Sequence, residues 1–380
     1  MTAALVESAF ASIAAEVREL MPDGCTVVDA HTHLGLDEDG RSLDLGSLLG
    51  ALDQLRPDAR ACVFPLHDPE RRPAYRVPND RVLAWARESD GRLVPFCRLD
   101  PRDEPVEEAL RCLALGARGI KLHPRAQGFT FGEPSSRAIF EVAADAGVPI
   151  LIHAGRGLGR MDELAELALH HPEVPIVLAH AAIADQGMFA SRLSDHPAVY
   201  YDTSCSALDV VELFARVPAE RIVFASDIPY GRTVPSMFLA LRAARYAGLD
   251  ARERALVAGG TIASLVDGQA RVAPTAPRLP AVRAVNGRLL RTIGYISSAF
   301  GAIVGGGPPI DGARGLQHIA LARASCRDPE PGAVGPALAR IDELLAYAEQ
   351  LIRAGGETAP AAFAMLNVAG TIAATEPVAA

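Results

Sequence analysis

Val27-Val28-Asp29-Ala30-His31-Thr32-His33 sets two alternating histidines directly after an apolar run that reads as a buried strand. In a β-strand, residues i and i+2 share a face. His31 and His33 therefore project together from one strand end, and imidazole is the commonest protein metal ligand. One such pair is a weak signal. It gains weight from what recurs downstream, always at the end of an apolar run: Lys121 in GIKLHP, His153 in PILIHAG, His180 in PIVLAH and Asp227 in IVFASD.

From Cys25 to about Asp227 two kinds of segment alternate. The runs CTVVDA, ACVFPL, LVPFCRL, GIKL, PILI, PIVLA, AVYYDT and RIVFAS are rich in Val, Ile, Leu and Phe and read as buried parallel strands. The segments between them, such as 106–115 and 161–170, have helical spacing or helix-forming composition. Strands alternating with helices imply βαβ units and a parallel sheet. Eight such runs are the number that closes a (β/α)8 TIM barrel. The expected fold class is therefore α/β: a TIM barrel over residues 25–270, preceded by an amphipathic helix over 1–24 that packs on it.

Helices are expected at 234–246 and 252–265. RVAPTAPRLP, residues 271–280, holds three prolines and no periodicity, and reads as a linker. Residues 281–380 read as a small all-helical region. Leu289, Ile293, Ile296, Phe300 and Ile303 share one helical face, as do Leu338, Ile341, Leu345 and Ala348. Those faces suit packing within a bundle, a homo-oligomer contact, or a lid over the barrel mouth.

The 380 residues carry a formal net charge of −9, which argues against a nucleic-acid partner. The N-terminal stretch contains Glu7 and Glu16 and no early basic residue, unlike a signal peptide. No uncharged apolar run reaches the ~20 residues of a membrane span. The six cysteines form no CxxC pair and suit buried, reduced thiols in a cytoplasmic protein.

In such a barrel, catalytic groups sit at the C-terminal ends of different strands. His31, His33, Lys121, His153, His180 and Asp227 thus converge on one rim. The chain has ten histidines, and four fall at these strand ends. Neutral imidazoles with one carboxylate suit Zn²⁺ first, and also Mn²⁺ or Fe²⁺. Such an ion lowers the pKa of bound water toward ~7. Asp227 is placed to take the water proton and return it to the leaving group. The ion or His180 can stabilise a developing oxyanion.

The phrases GIKLHP, PILIHAG, VLAHAA and FASDIPYG resemble the amidohydrolase superfamily of metal-dependent hydrolases, and its amidohydrolase-2 branch most closely, over about residues 25–267. The resemblance implies that His31, His33, His153 and Asp227 hold a divalent metal. It implies that His180 binds a second metal in binuclear members or assists the chemistry in mononuclear ones. Lys121 is similar in setting to the strand-4 segment of dihydroorotase-like relatives, where a carboxylated lysine bridges two metals. Otherwise Lys121 stays cationic and binds a substrate anion, or makes a structural ion pair. Relatives often carry an Asn-Ala pair in the closing helix, where this chain reads Gly260-Thr261-Ile262.

Loops near the mouth hold His67, Arg98, His123, Arg125, Arg156 and Tyr230. Arg98, Arg125 and Arg156 together could grip a carboxylate through bidentate hydrogen bonds. Asp29 faces away from the histidines by alternation and is assigned a structural role. The expected activity is metal-dependent hydrolysis of an amide, lactone or ester-like bond in a small, carboxylate-bearing substrate, with one or two metals per chain. The alternatives are non-oxidative decarboxylation of an aromatic or unsaturated acid, and an inactive metal-binding barrel serving as an interaction module.

Overall fold

Each apolar run forms a strand. A computed structural model describes residues 2–154, 160–277, 286–305, 312–327, 334–355 and 359–376. The strands are β1 (Val28–Leu36), β2 (Ser42–Leu43), β3 (Arg60–Pro65), β4 (Leu93–Pro95), β5 (Cys97–Arg98), β6 (Ile120–Leu122), β7 (Ile150–His153), β8 (Ile176–Ala179), β9 (Val199–Asp202) and β10 (Ile222–Val223). All pair in parallel except β2, which lies antiparallel to the end of β1.

Two details turn these pieces into an eight-stranded barrel. β4 pairs with β3 and β5 with β6, and Phe96 N donates to Val63 O between them, so β4 and β5 are halves of one strand. The barrel closes where Ala30 N donates to Phe224 O (2.9 Å) and His33 N to Ile228 O (3.0 Å). Alternate residues of each strand face opposite ways. Val28, Ala30, Cys62, Phe64, Leu151, Val177 and Val223 pack together on one face, while Val63, Ile150, Ile152, Ile176 and Leu178 pack with the helices on the other. Burial on both faces is why the runs read as continuously apolar.

Three features differ from the sequence reading. β1 does not stop at His33 but continues to Leu36 to pair with β2. Gly35, at φ 102°, takes a conformation other residues avoid. The helix expected at 252–265 is broken into Ala251–Ala255, a π-helical turn Leu256–Gly260, and Thr261–Val266. There Gly259 touches the start of β1: a Cβ on it would lie 2.4 Å from Val28 N. Residues 271–277 of the linker have no regular structure but are docked, with Thr275 N and Oγ1 donating to Glu220 Oε2.

The C-terminal helices Gly287–Gly305, Gly312–Arg327, Gly335–Ala354 and Ala359–Thr375 pack on one another, and Ala359–Thr375 lies against the outer helices that follow β9 and β10. The helix Thr233–Tyr246 is buried nearly all round, at Val234, Met237, Phe238, Leu239, Ala240, Leu241, Ala243 and Ala244. An outer barrel helix ordinarily keeps a polar face to water. This one is enclosed by the barrel, the N-terminal helix Thr2–Leu20 and the helix Ala359–Thr375. Arg242 pins the junction, reaching Thr375 Oγ1 (2.8 Å), Glu376 (3.0 Å) and Glu16 (3.9 Å). All six cysteines are free. Among the described residues, no helix is long and apolar enough to cross a membrane.

Candidate active site

Barrel closure builds the site. Asp227 N donates to His31 O (2.9 Å) next to the His33–Ile228 bond, so the backbone seam sets the two histidines beside Asp227. Asp29 reinforces the seam: its Oδ1 accepts from His31 N (3.2 Å) and Ser226 N (3.0 Å). Burial pushes the Asp29 carboxyl up to about 7. Asp227 has φ 57° and His180 also φ 57°. A left-handed backbone at a residue other than glycine costs on the order of 1–3 kcal/mol and collects at functional sites.

Asp227 Oδ1 lies 3.2 Å from His31 Nε2 and 3.1 Å from His33 Nε2. These three residues form one potential metal-binding group. The ring of Phe64 lies under both imidazoles, with centroids 5.2 and 4.6 Å away. On the other side, His180 Nε2 is 3.0 Å from His153 Nδ1, and His123 stacks on His153 with centroids 3.9 Å apart. Burial drives His31 and His153 well below the ordinary imidazole value and lowers His33. They are therefore held neutral, as metal ligation requires. Burial alone would raise the Asp227 carboxyl, but its interactions with His31, His33 and His180 hold it below the ordinary carboxylate range.

His31 Nδ1 lies 2.7 Å from Asp202 Oδ2. A carboxylate only accepts, so Nδ1 carries the proton and Nε2 of the neutral ring is a bare lone pair. That lone pair faces the Asp227 oxygen at 3.2 Å. Two acceptors in contact are unfavourable unless a cation lies between them. His153 Nε2 and His33 Nδ1 are buried without a hydrogen-bond partner. Lone pairs and orphaned ring nitrogens on mixed imidazole and carboxylate donors fit a divalent ion such as Zn²⁺, Mn²⁺ or Fe²⁺.

Lys121 is fully buried. Its Nζ lies 3.4 Å from His31 Nε2 and 4.7 Å from the centre of the Phe64 ring. Burial, then the charge of Arg98, lowers its pKa to about 7. An amine that sheds its proton near neutrality is the form that adds CO2, and as a cation it could also meet a substrate anion. The shift has a consequence for stability. Between pH 7 and the unfolded value near 10.5, the unfolded chain binds a proton the folded chain does not, so stability climbs with pH. In metal-free protein and CO2-depleted buffer, Lys121→Met is expected to melt above the wild type at pH 7. That advantage should shrink toward pH 10. A constant or widening gap in calorimetry would show that Lys121 is not buried with a lowered pKa.

The remaining residues separate. Arg98 is 1% exposed. It donates to Pro65 O (3.1 Å) and lies 3.4 Å from His67 Nδ1. Its backbone is held by Asn79 from both sides, and its Nε has no partner. It acts as a fixed charge behind the site. Arg125 is exposed, and Arg156 lies outside the described residues. His67 Nδ1 accepts from Tyr75 Oη (2.8 Å). His123 Nδ1 accepts from Ala126 N, capping the turn Pro124–Gln127. Tyr230 meets the His33 ring edge-on at 5.5 Å and donates to Asp37 Oδ2 (2.7 Å).

Asp202, Ser204 and Phe64 were not singled out from sequence. Asp202 ends its apolar run as His180 and Asp227 end theirs, and that position was the available signal. Phe64 reads as any core aromatic.

A family model described as Amidohydrolase (Amidohydro_2) matches residues 28–267, more than half of the chain. Among solved structures, the chain is similar to Metarhizium anisopliae IDCase in apo form (18% identity, TM-score 0.51, covering 66% of this chain and 99% of that one). It is also similar to 5-carboxyvanillate decarboxylase from Novosphingobium aromaticivorans complexed with manganese and 4-hydroxy-3-methoxy-5-nitrobenzoic acid (16%, 0.50, 64% and 96%). A third likeness is to a probable 2-pyrone-4,6-dicarboxylic acid hydrolase from Acinetobacter baumannii (15%, 0.47, 64% and 99%). No curated protein matches the chain. With the family model covering the whole barrel, the chain belongs to the amidohydrolase family, whose members bind a divalent metal.

Proposed function

We propose that the protein is a metal-dependent hydrolase that cleaves an amide, lactone or ester-like bond in a small carboxylate-bearing molecule. The observation that carries this reading is the facing pair of acceptors, His31 Nε2 and Asp227 Oδ1 at 3.2 Å, which asks for a cation. His31, His33, His153 and Asp227 would hold it. When bound, a divalent ion supplies Lewis acidity and brings the pKa of water toward ~7.

The chain's own groups do the rest. Asp227, ionised at neutral pH, accepts the proton of the attacking water and hands it to the leaving group. His180, on the far side of the site, has its proton on Nδ1 and so leaves the charge developing on the scissile carbonyl oxygen to the ion. Phe64 closes the floor against water. The buried positive charge of Arg98 sets a field that favours an anionic substrate.

The first test is the metal content of protein purified without chelators. About one divalent ion per chain is expected for a mononuclear centre, with zinc ahead of manganese or iron. Two would make carboxylated Lys121 and His180 ligands. A chain that stays empty with added Zn²⁺ or Mn²⁺ would overturn the reading in favour of a binding module. His31→Ala is expected to lose metal and turnover together while its melting transition persists. Release of CO2 from hydroxybenzoates without hydrolysis of esters or lactones would reassign the barrel as a decarboxylase.

A further inference from the structure

We infer that Asp202 is a positioning residue that fixes the ring tautomers of His31 and His180 together, so that imidazoles from two strands present bare Nε2 atoms to one centre. The inference rests on the metal-centre reading above. Asp202 is the last residue of β9 and is fully buried. Its two oxygens divide the work. Oδ2 takes His31 Nδ1–H at 2.7 Å. Oδ1 accepts from His180 N (2.8 Å), Ser204 N (3.0 Å) and Ser204 Oγ (2.6 Å).

The second ring is fixed one step away. His180 Nδ1 lies 2.8 Å from the carbonyl oxygen of Ser204. A carbonyl only accepts, so Nδ1 carries the proton and Nε2 is bare. Asp202 holds the Ser204 backbone through its N–H and the His180 backbone through its N–H. One carboxylate thereby sets the orientation of a strand-1 ring directly and of a strand-6 ring through the peptide units that carry it. Asp202, His31 and His180 are also close enough to form a metal-binding group themselves. The bonds already made speak against Asp202 as a ligand: Oδ1 is occupied by three donors and Oδ2 by a fourth. Groups behind metal ligands typically change metal affinity 10–100-fold when replaced.

The decisive variant is Asp202→Asn. An amide has one acceptor oxygen where the carboxylate had two. Three donors compete for the Oδ1 position, so the oxygen stays there and the NH₂ group turns toward His31. His31 must then accept at Nδ1 and carry its proton on Nε2, where it cannot ligate.

Metal-free protein labelled with ¹⁵N-histidine reports the tautomers by NMR. The wild type is expected to show His31 and His180 both protonated at Nδ1. In Asp202→Asn, His31 should change to the Nε2–H form while His180 keeps its own. Zinc affinity, from chelator competition, should fall 10–100-fold while the melting transition persists. Ser204→Ala keeps the carbonyl that fixes His180 and is expected to change zinc affinity less than threefold. If His31 keeps its Nδ1 proton in Asp202→Asn and zinc affinity stays within twofold, the inference is overturned. If His31 keeps that proton but zinc is lost, Asp202 is a ligand and the positioning role fails. A wild type that binds no zinc would defeat the metal-centre reading alone, since the metal-free spectra still decide the tautomers.

Discussion

Asp227→Asn is expected to lower kcat about a thousandfold or more, the scale of a lost general base, while the barrel stays folded. The change is well isolated. Asp227 has φ 57°, and asparagine is among the residues that best tolerate the left-handed region. The turn around it is held by backbone: Asp227 N donates to His31 O, and Tyr230 N and Gly231 N donate to Asp227 O. None of these bonds uses the side chain. The packing of the turn is also independent of it, since a Cβ on Gly231 would lie 2.1 Å from Ser226 O. The variant also relieves the contact between the Asp227 oxygen and the His31 Nε2 lone pair, because an amide NH₂ can donate there. Metal-free Asp227→Asn should therefore melt at or above the metal-free wild type, while binding metal more weakly. Asp227→Ala should lose the same activity and melt lower, by the roughly 1–2 kcal/mol that alanine loses at positive φ. Because the Asp227 carboxyl is held below the ordinary carboxylate range, the wild-type pH–rate profile should show no acid limb from it between pH 4 and 8. Activity in Asp227→Asn above a tenth of wild type would remove Asp227 from the proton-transfer role.

The barrel was legible because a parallel sheet covered on both faces leaves apolar runs in the chain, and every one of the eight runs is a strand. His31, His33, Lys121, His153, His180 and Asp227 could be placed because each ends or follows such a run. What stayed hidden depends on pairings the local sequence does not encode. Asp202 in AVYYDT looks like any acidic strand end until β9 lies beside β8 and its carboxylate meets His180 N and His31 Nδ1. The continuation of β1 past His33 depends on Ser42–Leu43 folding back. The break in the closing helix comes from the close approach of Gly259 to Val28. His180, Ala181, Ala182 and Ile183 all have positive φ, against the preference of each residue, so tertiary structure imposes that turn.

Removal of residues 278–380 is expected to leave a chain without a cooperative melt, prone to aggregate. The amphipathic faces at Leu289, Ile293, Ile296 and Ile303, and at Leu338, Ile341, Leu345 and Ala348, read equally well as a bundle core of their own. The four helices do pack on one another, and the region joins the barrel chiefly through one of them. In Ala359–Thr375, Met365, Leu366, Val368 and Ile372 are each no more than 2% exposed. Their burial is worth about 1.5–3 kcal/mol apiece, a sum comparable to the roughly 5–15 kcal/mol that holds a whole domain. The helix lies close against its neighbours: a Cβ on Gly370 would sit 3.3 Å from Ala207 Cβ, on the helix that follows β9. Its loss would also uncover the facing residues of Thr233–Tyr246 and leave Arg242 without Thr375 and Glu376. The helix carrying them directly follows β10 and the Asp227 turn, so the damage would reach the site. Differential scanning calorimetry and bound zinc on the truncated chain decide the matter. A sharp transition within about 2 °C of the full chain, a shift worth only about 1 kcal/mol, with metal retained, would show an appended domain that the barrel does not need.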